Sequence, residues 1–211
     1  MKLENARLQP LLLLYAERKH AIQARLSDFA RVPQSEYFYE LAYCLMTPQS
    51  SAVHAERVVA VLRGQDFLET GFDPEQLLRT KEHYIRFHKN KSKYLLAIRQ
   101  TLGDILAALS NGHSSEVMRE WLVNNVKGLG YKEASHFLRN IGRNDGLAIL
   151  DRHILRNLRR YGVIRSIPES LSRKRYLSIE RRFKRFAEMI GIPLDELDLL
   201  FWSNETGEIR K

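Results

Sequence analysis

Two glycines near the middle of the chain indicate a tight turn between two stretches with helical patterning. Gly128-Leu129-Gly130 lies between patterns that predict helices over 115–125 and 132–141. Glycine accepts positive φ at little steric cost, so the two helices can lie side by side with Leu129 pointing back into their interface. The missing side chains also let a DNA backbone approach the turn, where the amides that open the second helix face a phosphate. The turn therefore predicts a helix-hairpin-helix, although the two glycines alone fit an ordinary helical hairpin equally well.

The rest of the chain repeats the helical periodicity. Apolar residues recur at helical spacing between breaks made by Gly, Pro and Asn, and no alternating run is long enough to predict a strand. The sequence therefore predicts an all-α fold, with Ser35 as the N-cap of one helix. Further helices are predicted over 3–26, 35–46, 49–62, 73–80, 91–110, 151–161, 171–189 and 193–203.

Composition narrows the classes of protein to consider. The 211 residues are 44% hydrophobic and 28% charged, a balance typical of folded domains, and the net charge of +9 favours a polyanionic partner. No apolar run approaches the roughly 20 residues that span a bilayer, and no signal-peptide pattern opens the sequence, so we expect an intracellular protein. The single cysteine, Cys44, excludes a cluster held by four cysteines of one chain and is expected to be a buried packing residue.

Two residues near the turn have the chemistry of a nucleophile and its acidic partner. Lys132 falls in the first turn of the second predicted helix, where the dipole disfavours a cation and thus favours the neutral amine that nucleophilic attack requires. Asp151 follows an apolar run and opens the next predicted helix, where it is also expected to be the N-cap. Lys132 has alternative roles as a phosphate contact or a solvated side chain.

These residues resemble a known family. The hairpin from Lys127 to Lys132, followed by Asp151-Arg152-His153-Ile154, is similar to the helix-hairpin-helix DNA glycosylase superfamily, whose members pair a nucleophilic lysine with a downstream aspartate. Residues 130–140, together with the C-terminal stretches 199–203 and 207–211, resemble the type 2 8-oxoguanine DNA glycosylase/AP lyases. Endonuclease III is similar in its hairpin and aspartate, but it carries a four-cysteine iron–sulfur motif that this chain lacks.

The resemblance implies a two-lobed helix-hairpin-helix glycosylase fold with the active site between the lobes. Residues 35–142 would form the central lobe, and 1–34 together with 143–211 the second. The implied substrate is duplex DNA that contains 8-oxoguanine or an abasic site. In the implied mechanism Lys132 attacks C1′ of the damaged nucleotide while Asp151 assists, and the resulting Schiff base leads to strand cleavage by β-elimination. That chemistry needs no metal and no organic cofactor, and we expect a monomer.

The resemblance also assigns residues that handle the base and the backbone. The damaged nucleotide must leave the helix, and Gln49 resembles the amide residue that these enzymes insert into the duplex. Phe87 and Trp202 come from the regions whose aromatic residues sandwich the base, and the terminal Lys211 matches a lysine that reaches the purine. His153 resembles a histidine that contacts a phosphate next to the lesion, while Gly128 and Gly130 belong to the hairpin.

Several alternatives stay open at the level of sequence. Gln49 has an equally good role as a capping or surface residue, and core packing competes with base stacking for Phe87 and Trp202; His88 is a second candidate beside Phe87. Packing or simple exposure is the alternative for His153. For the whole chain, the alternatives are a glycosylase for another damaged base, a non-catalytic helix-hairpin-helix DNA-binding protein, and a basic RNA-binding or scaffold protein.

Overall fold

The computed structural model describes residues 5–209, and these residues are all-α, as predicted. Twelve α-helices and two short 3-10 turns are connected by loops, and no strand forms in the described range. The helices are α1 Asn5–Ala30, α2 Tyr37–Met46, α3 Ala52–Gly64, α4 Phe67–Thr70, α5 Glu75–Arg79, α6 His88–Gln100, α7 Leu102–Ser110, α8 Ser115–Asn125, α9 Tyr131–Asn140, α10 Arg152–Arg160, α11 Arg173–Ile190 and α12 Leu194–Thr206.

The chain divides into two compact units. The central unit is Val32–Ile141 and contains α2 to α9. The terminal unit combines the described parts of Met1–Arg31 and Gly142–Lys211, so that α1 belongs with α10, α11 and α12.

Helix α2 forms the middle of the central unit. Its residues from Phe38 to Met46 are all buried, and the helix packs against α3, α6 and α9. The ring of Phe38 stacks on that of Phe67 with 5.8 Å between centroids. Asn140 of α9 donates from Nδ2 to Oε2 of Glu40 in α2 at 3.0 Å, so this buried amide and carboxylate are paired. Cys44 is fully buried, which confirms its predicted packing role.

The terminal unit is held together by α12. This helix packs against α1, α10 and α11. An aromatic stack fills its core: the Phe201 ring lies 5.5 Å from Tyr161 and 5.8 Å from Phe183, in both cases with nearly parallel planes. Large buried rings contribute much of the apolar surface that such a small core can remove from water.

Most helices agree with the predicted ranges to within about four residues, but the predicted helix over 91–110 is wrong. Thr101 leaves the helical region with φ −101° and ψ 10°, so α6 and α7 are separate. The Thr101 hydroxyl donates to the carbonyl of Ala97 at 3.1 Å, a local bond that competes with helix propagation. Ile98 and Ile105 are buried on either side of the break, so the apolar spacing continues across it and does not reveal the break.

Two predicted helix starts in the central unit are also wrong. Ser35 lies inside the 3-10 turn Gln34–Glu36 and is not the N-cap of α2, which begins at Tyr37. The third helix begins at Ala52 and leaves Gln49 in the preceding loop with φ +56°. The short helix α4 has four residues, too few to produce a period that the sequence would reveal.

Candidate active site

The predicted hairpin joins α8 and α9 of the central unit. Gly128 has φ +93°, and a Cβ atom there would lie 2.4 Å from Cδ2 of Tyr94 in α6. Glycine is therefore required at this position both by the backbone and by the aromatic ring packed against it. Leu129 is buried, as expected for a side chain that points back into the helix interface.

Lys132 lies in the first turn of α9. Its side chain is 21% exposed, and its Nζ atom is 3.9 Å from Oε1 of Glu133. The other carboxylate oxygen of Glu133 accepts a hydrogen bond from the amide of Gly130 at 3.2 Å. Glu133 thus caps the start of the helix and also faces the lysine, a double role that sequence reasoning missed. An acidic residue is favourable at this end of a helix because it complements the dipole.

Tyr131 ties the two helices of the hairpin together. Its hydroxyl donates to Oε2 of Glu120 in α8 at 2.5 Å, and the guanidinium of Arg119 lies 5.3 Å from its ring centroid. Arg119 is buried and donates to the Ser135 hydroxyl at 3.2 Å. The helix that carries Lys132 is therefore held against its partner by polar contacts as well as by apolar packing.

Gln49 and Phe87 share an unusual backbone conformation. They have φ +56° and +61°, values that non-glycine residues rarely adopt. Gln49 is exposed, and Phe87 is 48% exposed with the Arg86 guanidinium 4.9 Å from its ring centroid. Phe87 is therefore a surface aromatic and not a core residue, and Gln49 is not a helix cap. Such strained residues often mark functional sites.

A buried lysine lies next to the two turns that carry Gln49 and Phe87. Lys91 in α6 is 5% exposed, and its ammonium donates to the carbonyls of Met46 and Pro48, each at 2.7 Å. Burial lowers the pKa of Lys91 to about 8; the nearby Glu133 carboxylate acts in the opposite direction, and the charge of Lys132 lowers it further. Sequence reasoning missed this residue.

Asp151 belongs to the terminal unit and is the N-cap of α10, as predicted. Its Oδ1 atom accepts a hydrogen bond from the amide of Ile154 at 2.8 Å, and no bond to Oδ2 occurs within residues 5–209. Residues 147–150 before it are buried. Helix α11 satisfies their backbone: the Tyr176 hydroxyl donates to the Ala148 carbonyl at 2.6 Å, and Glu180 accepts from the Ala148 amide at 2.9 Å. These bonds fix the approach of the chain to Asp151.

His153 and Trp202 lie close together in the terminal unit. Their ring centroids are 6.4 Å apart in an edge-to-face arrangement, and Nδ1 of His153 is 3.7 Å from Oε2 of Glu205. The same carboxylate oxygen is 3.9 Å from a guanidinium nitrogen of Arg156. Trp202 is partly exposed, and its contact with a predicted phosphate-binding histidine was not foreseen from sequence.

The predicted site residues thus fall into two sets. Lys132, Gly128, Gly130, Gln49 and Phe87 belong to the central unit. The terminal unit contains Asp151, His153 and Trp202, while Lys211 lies outside the described residues. Within the described range, no group of three or more His, Cys, Asp or Glu side chains is arranged to hold a metal ion. None of the helices described has the length and apolar character needed to cross a membrane.

Comparison with known proteins identifies similar chains. A family model described as 8-oxoguanine DNA glycosylase matches residues 22–192. An 8-oxoguanine DNA glycosylase/AP lyase of Fusobacterium nucleatum is 39% identical over 207 residues, which cover 94% of each chain. The crystal structure of the Methanocaldococcus jannaschii 8-oxoguanine DNA glycosylase superposes with a TM-score of 0.84 at 34% identity over the full length of both chains. A structure of the M. jannaschii enzyme in complex with a 15mer DNA containing 8-oxoguanine gives a TM-score of 0.81 at 36% identity, and covers 95% of this chain and 99% of that one.

Proposed function

The chain belongs to the 8-oxoguanine DNA glycosylase family, and from that premise we propose that Lys132 and Asp151 carry out its base excision and strand cleavage. The protein is an 8-oxoguanine DNA glycosylase/AP lyase that acts on duplex DNA. The observation that carries the assignment of the nucleophile is the position of Lys132, mostly buried in the first turn of the helix that follows the glycine hairpin.

Lys132 is the nucleophile of this proposal. Its neutral amine attacks C1′ of the damaged nucleotide, the bond from C1′ to the base breaks, and the bonding electrons leave with the base. The attached nitrogen then forms a Schiff base with the opened sugar. Removal of a C2′ proton and loss of the 3′ phosphate by β-elimination cleave the strand. These steps use only side chains and the substrate itself.

Asp151 is the acidic partner. Its carboxylate accepts the proton that the attacking amine loses, and it stabilises the positive charge that develops on the sugar. Two observations support this role: Oδ1 is held by the cap to Ile154, and the buried segment before Asp151 is fixed by Tyr176 and Glu180. A carboxylate with one oxygen fixed keeps its orientation while the other oxygen remains available for chemistry.

The remaining candidates handle the extruded nucleotide. Gln49 fills the space that the nucleotide leaves, Phe87 and Trp202 stack on the base, and Lys211 contacts the purine. His153 contacts a phosphate next to the lesion. The exposure and positive φ of Gln49 and Phe87 support surface roles over packing roles.

The hairpin and the charge of the chain hold the DNA backbone. The start of α9 after the two glycines faces a phosphate through amides other than that of Gly130, which Glu133 already binds, and the net charge of +9 strengthens binding to any duplex. One chain acts on one lesion, so the working form is a monomer, and the enzyme works inside the cell on genomic DNA.

Borohydride trapping tests the proposal. The native protein is incubated with a duplex containing one 8-oxoguanine opposite cytosine, and we expect a covalent adduct that Lys132→Gln does not form. Lys93→Gln is the matched control, because Lys93 is an exposed lysine of the same unit and should trap normally. Trapping by Lys132→Gln would assign the nucleophile to another amine. Trapping of the native protein on a preformed abasic site alone would keep the lyase chemistry and change the base.

A further inference from the structure

Two strained turns of the central unit share one buried cation. We propose that Lys91 is a positioning residue that holds Gln49 and Phe87 in place for extrusion and capture of the damaged nucleotide. This inference rests on the proposed function, because it concerns how that same site is prepared.

The first step concerns the turn that carries Gln49. Helix α2 ends at Met46, and the carbonyls at a helix end lack partners within the helix. The Lys91 ammonium bonds to the Met46 and Pro48 carbonyls at 2.7 Å each and lies 3.4 Å from the Ser50 hydroxyl. One cation thus contacts the residues on both sides of Gln49, which fixes its backbone at positive φ.

The second step links this turn to Phe87. The Ser50 hydroxyl accepts a hydrogen bond from the amide of Arg86 at 2.9 Å. The Phe87 carbonyl in turn accepts from the amides of Asn90 and Lys91, both at 3.0 Å. A closed ring of contacts therefore runs from the Lys91 side chain through the Gln49 turn and Ser50 to Phe87, and back to the Lys91 backbone.

The segment before Phe87 is anchored to α3 as well. Nδ1 of His54 lies 3.1 Å from the Tyr84 carbonyl, and the Arg57 guanidinium donates to the Glu82 carbonyl at 3.0 Å. These bonds hold the outer part of the segment, and Lys91 holds its inner end. Side chains that must be placed within about 0.5 Å of a working geometry need supporting hydrogen bonds and packing of this kind.

Burial alone does not explain a lysine at this position. A buried ammonium is costly unless it is paired, and an apolar side chain would normally fill such a space. The charged groups that act on Lys91 are Glu133 and Lys132, both on α9, and the remaining contacts are neutral oxygens. Lys91 therefore has two conceivable roles in the reaction: support of the two turns, which we propose, and an electrostatic effect on Lys132.

Two substrates distinguish these roles. An 8-oxoguanine nucleotide must be unpaired, replaced in the stack and captured, whereas a preformed abasic site has no base to unpair or stack. In single-turnover assays Lys91→Met should lower the rate on the 8-oxoguanine duplex about 100-fold, the cost of a misplacement of roughly 1 Å, and should change cleavage of the abasic duplex less than about threefold. Ser50→Ala removes the link to Arg86 and the 3.4 Å contact with the Lys91 ammonium but leaves the two carbonyl bonds of Lys91, so it should show the same selectivity with a smaller loss.

The pH dependence of the ratio between excision and abasic-site cleavage provides a second test. This ratio would not change with pH if Lys91 had a purely structural role that did not depend on its charge. With the pKa of Lys91 at about 8, excision by the native protein should decline relative to abasic-site cleavage as the pH rises through 8. Lys91→Arg keeps a permanent charge, so the ratio of the two rates should then stay level to pH 9.5. Thermal unfolding followed by circular dichroism shows whether each variant is folded, and if Lys91→Met is not, Ser50→Ala decides the question.

Equal losses on both substrates would overturn the proposal and assign Lys91 an effect on Lys132. An unchanged excision rate in a folded Lys91→Met would overturn it as well. If Lys91→Met does not fold, an unchanged excision rate in Ser50→Ala would do the same. A native protein that neither excises 8-oxoguanine nor cleaves the abasic duplex would instead refute the proposed function. Failure of the inference and failure of the function are thus separate outcomes.

Discussion

At the scale of single residues, Asp151 combines an observed structural role with a proposed chemical one. One oxygen of its carboxylate caps α10 through the amide of Ile154, a bond of 2.8 Å. N-caps contribute about 1 kcal/mol to stability, and asparagine serves as well as aspartate at this position. The cap and the proposed acid–base role can therefore be separated by choosing the substitution.

Asp151→Asn should keep the cap and lose the proton acceptor. We expect single-turnover excision of 8-oxoguanine to slow by about 10²- to 10⁴-fold, the usual contribution of a general base, with little change in the melting temperature. Asp151→Ala is the control that loses both roles, and it should unfold with about 1 kcal/mol less stability than Asp151→Asn. Near-normal turnover by Asp151→Asn would remove this carboxylate from the mechanism.

Lys91 should leave a signature in stability as well as in activity. Its pKa is about 8 in the folded chain, below the ordinary value of 10.5, so above pH 8 the unfolded chain holds a proton that the folded chain has released. The free energy of unfolding then rises with pH, by up to about 1 kcal/mol per unit between pH 8 and 9.5 from this group. The measurement is urea unfolding across that range for the native protein and Lys91→Met.

The variant is expected to lack this rise, so the difference between the two curves isolates the lysine. The tyrosines with raised pKa act in the opposite direction towards the top of this window, but both proteins contain them, so their contribution cancels in the difference. Parallel curves for the two proteins would mean that Lys91 titrates in the folded chain much as it does in the unfolded one.

At the scale of elements, helical periodicity was sufficient to predict most of the fold. The apolar spacing reflects burial on one helix face, so it predicts where helices lie but not where a local bond interrupts them. Thr101 shows the limit: its hydroxyl bonds back to Ala97 and splits one predicted helix into α6 and α7.

The residues of the candidate site also separate into those with a local signal in the sequence and those without one. Lys132, Asp151 and the hairpin glycines could be proposed from the sequence because turn chemistry, helix starts and family resemblance are local in sequence. Lys91 and Tyr94 were missed because their contacts, with the turn after Met46 and with Gly128, join residues more than 30 positions apart. Nothing in the local pattern distinguishes a buried lysine from the exposed lysines on the same helix.

The hairpin glycine provides an element-scale prediction with a matched control. Gly128→Ala adds a Cβ at φ +93° and places it 2.4 Å from Tyr94, whereas Gly112→Ala adds one at φ +69° with no atom within 4 Å. Both substitutions carry the backbone strain of about 1–2 kcal/mol, but only the first crowds a ring. We expect Gly128→Ala to be less stable than Gly112→Ala by roughly 1–3 kcal/mol in urea unfolding, and to bind duplex DNA more weakly. Equal stabilities would show that Tyr94 moves aside without cost.

At the scale of the whole molecule, charge determines how the enzyme meets DNA before it finds a lesion. The net charge of +9 acts on every duplex, because cations near phosphates release condensed counterions whatever the sequence. Recognition of 8-oxoguanine comes from groups that touch the extruded base. Affinity for undamaged DNA and selectivity for the lesion should therefore respond differently to salt.

The salt dependence of DNA binding tests the role of Lys132 once more, in a measurement that does not involve catalysis. The logarithm of the binding constant should fall linearly with the logarithm of salt concentration, with a slope that decreases by about 0.9 for each phosphate contact removed. Lys127 is exposed in the hairpin turn, so Lys127→Gln should reduce the slope by about that amount on damaged and undamaged duplexes alike. Lys132→Gln removes the same charge from the next helix, but a nucleophile directed at C1′ makes no phosphate contact, so its slope should match that of the native protein. A reduction of about 0.9 in Lys132→Gln would mean that this lysine binds phosphate, and the assignment of the nucleophile would then rest on another amine.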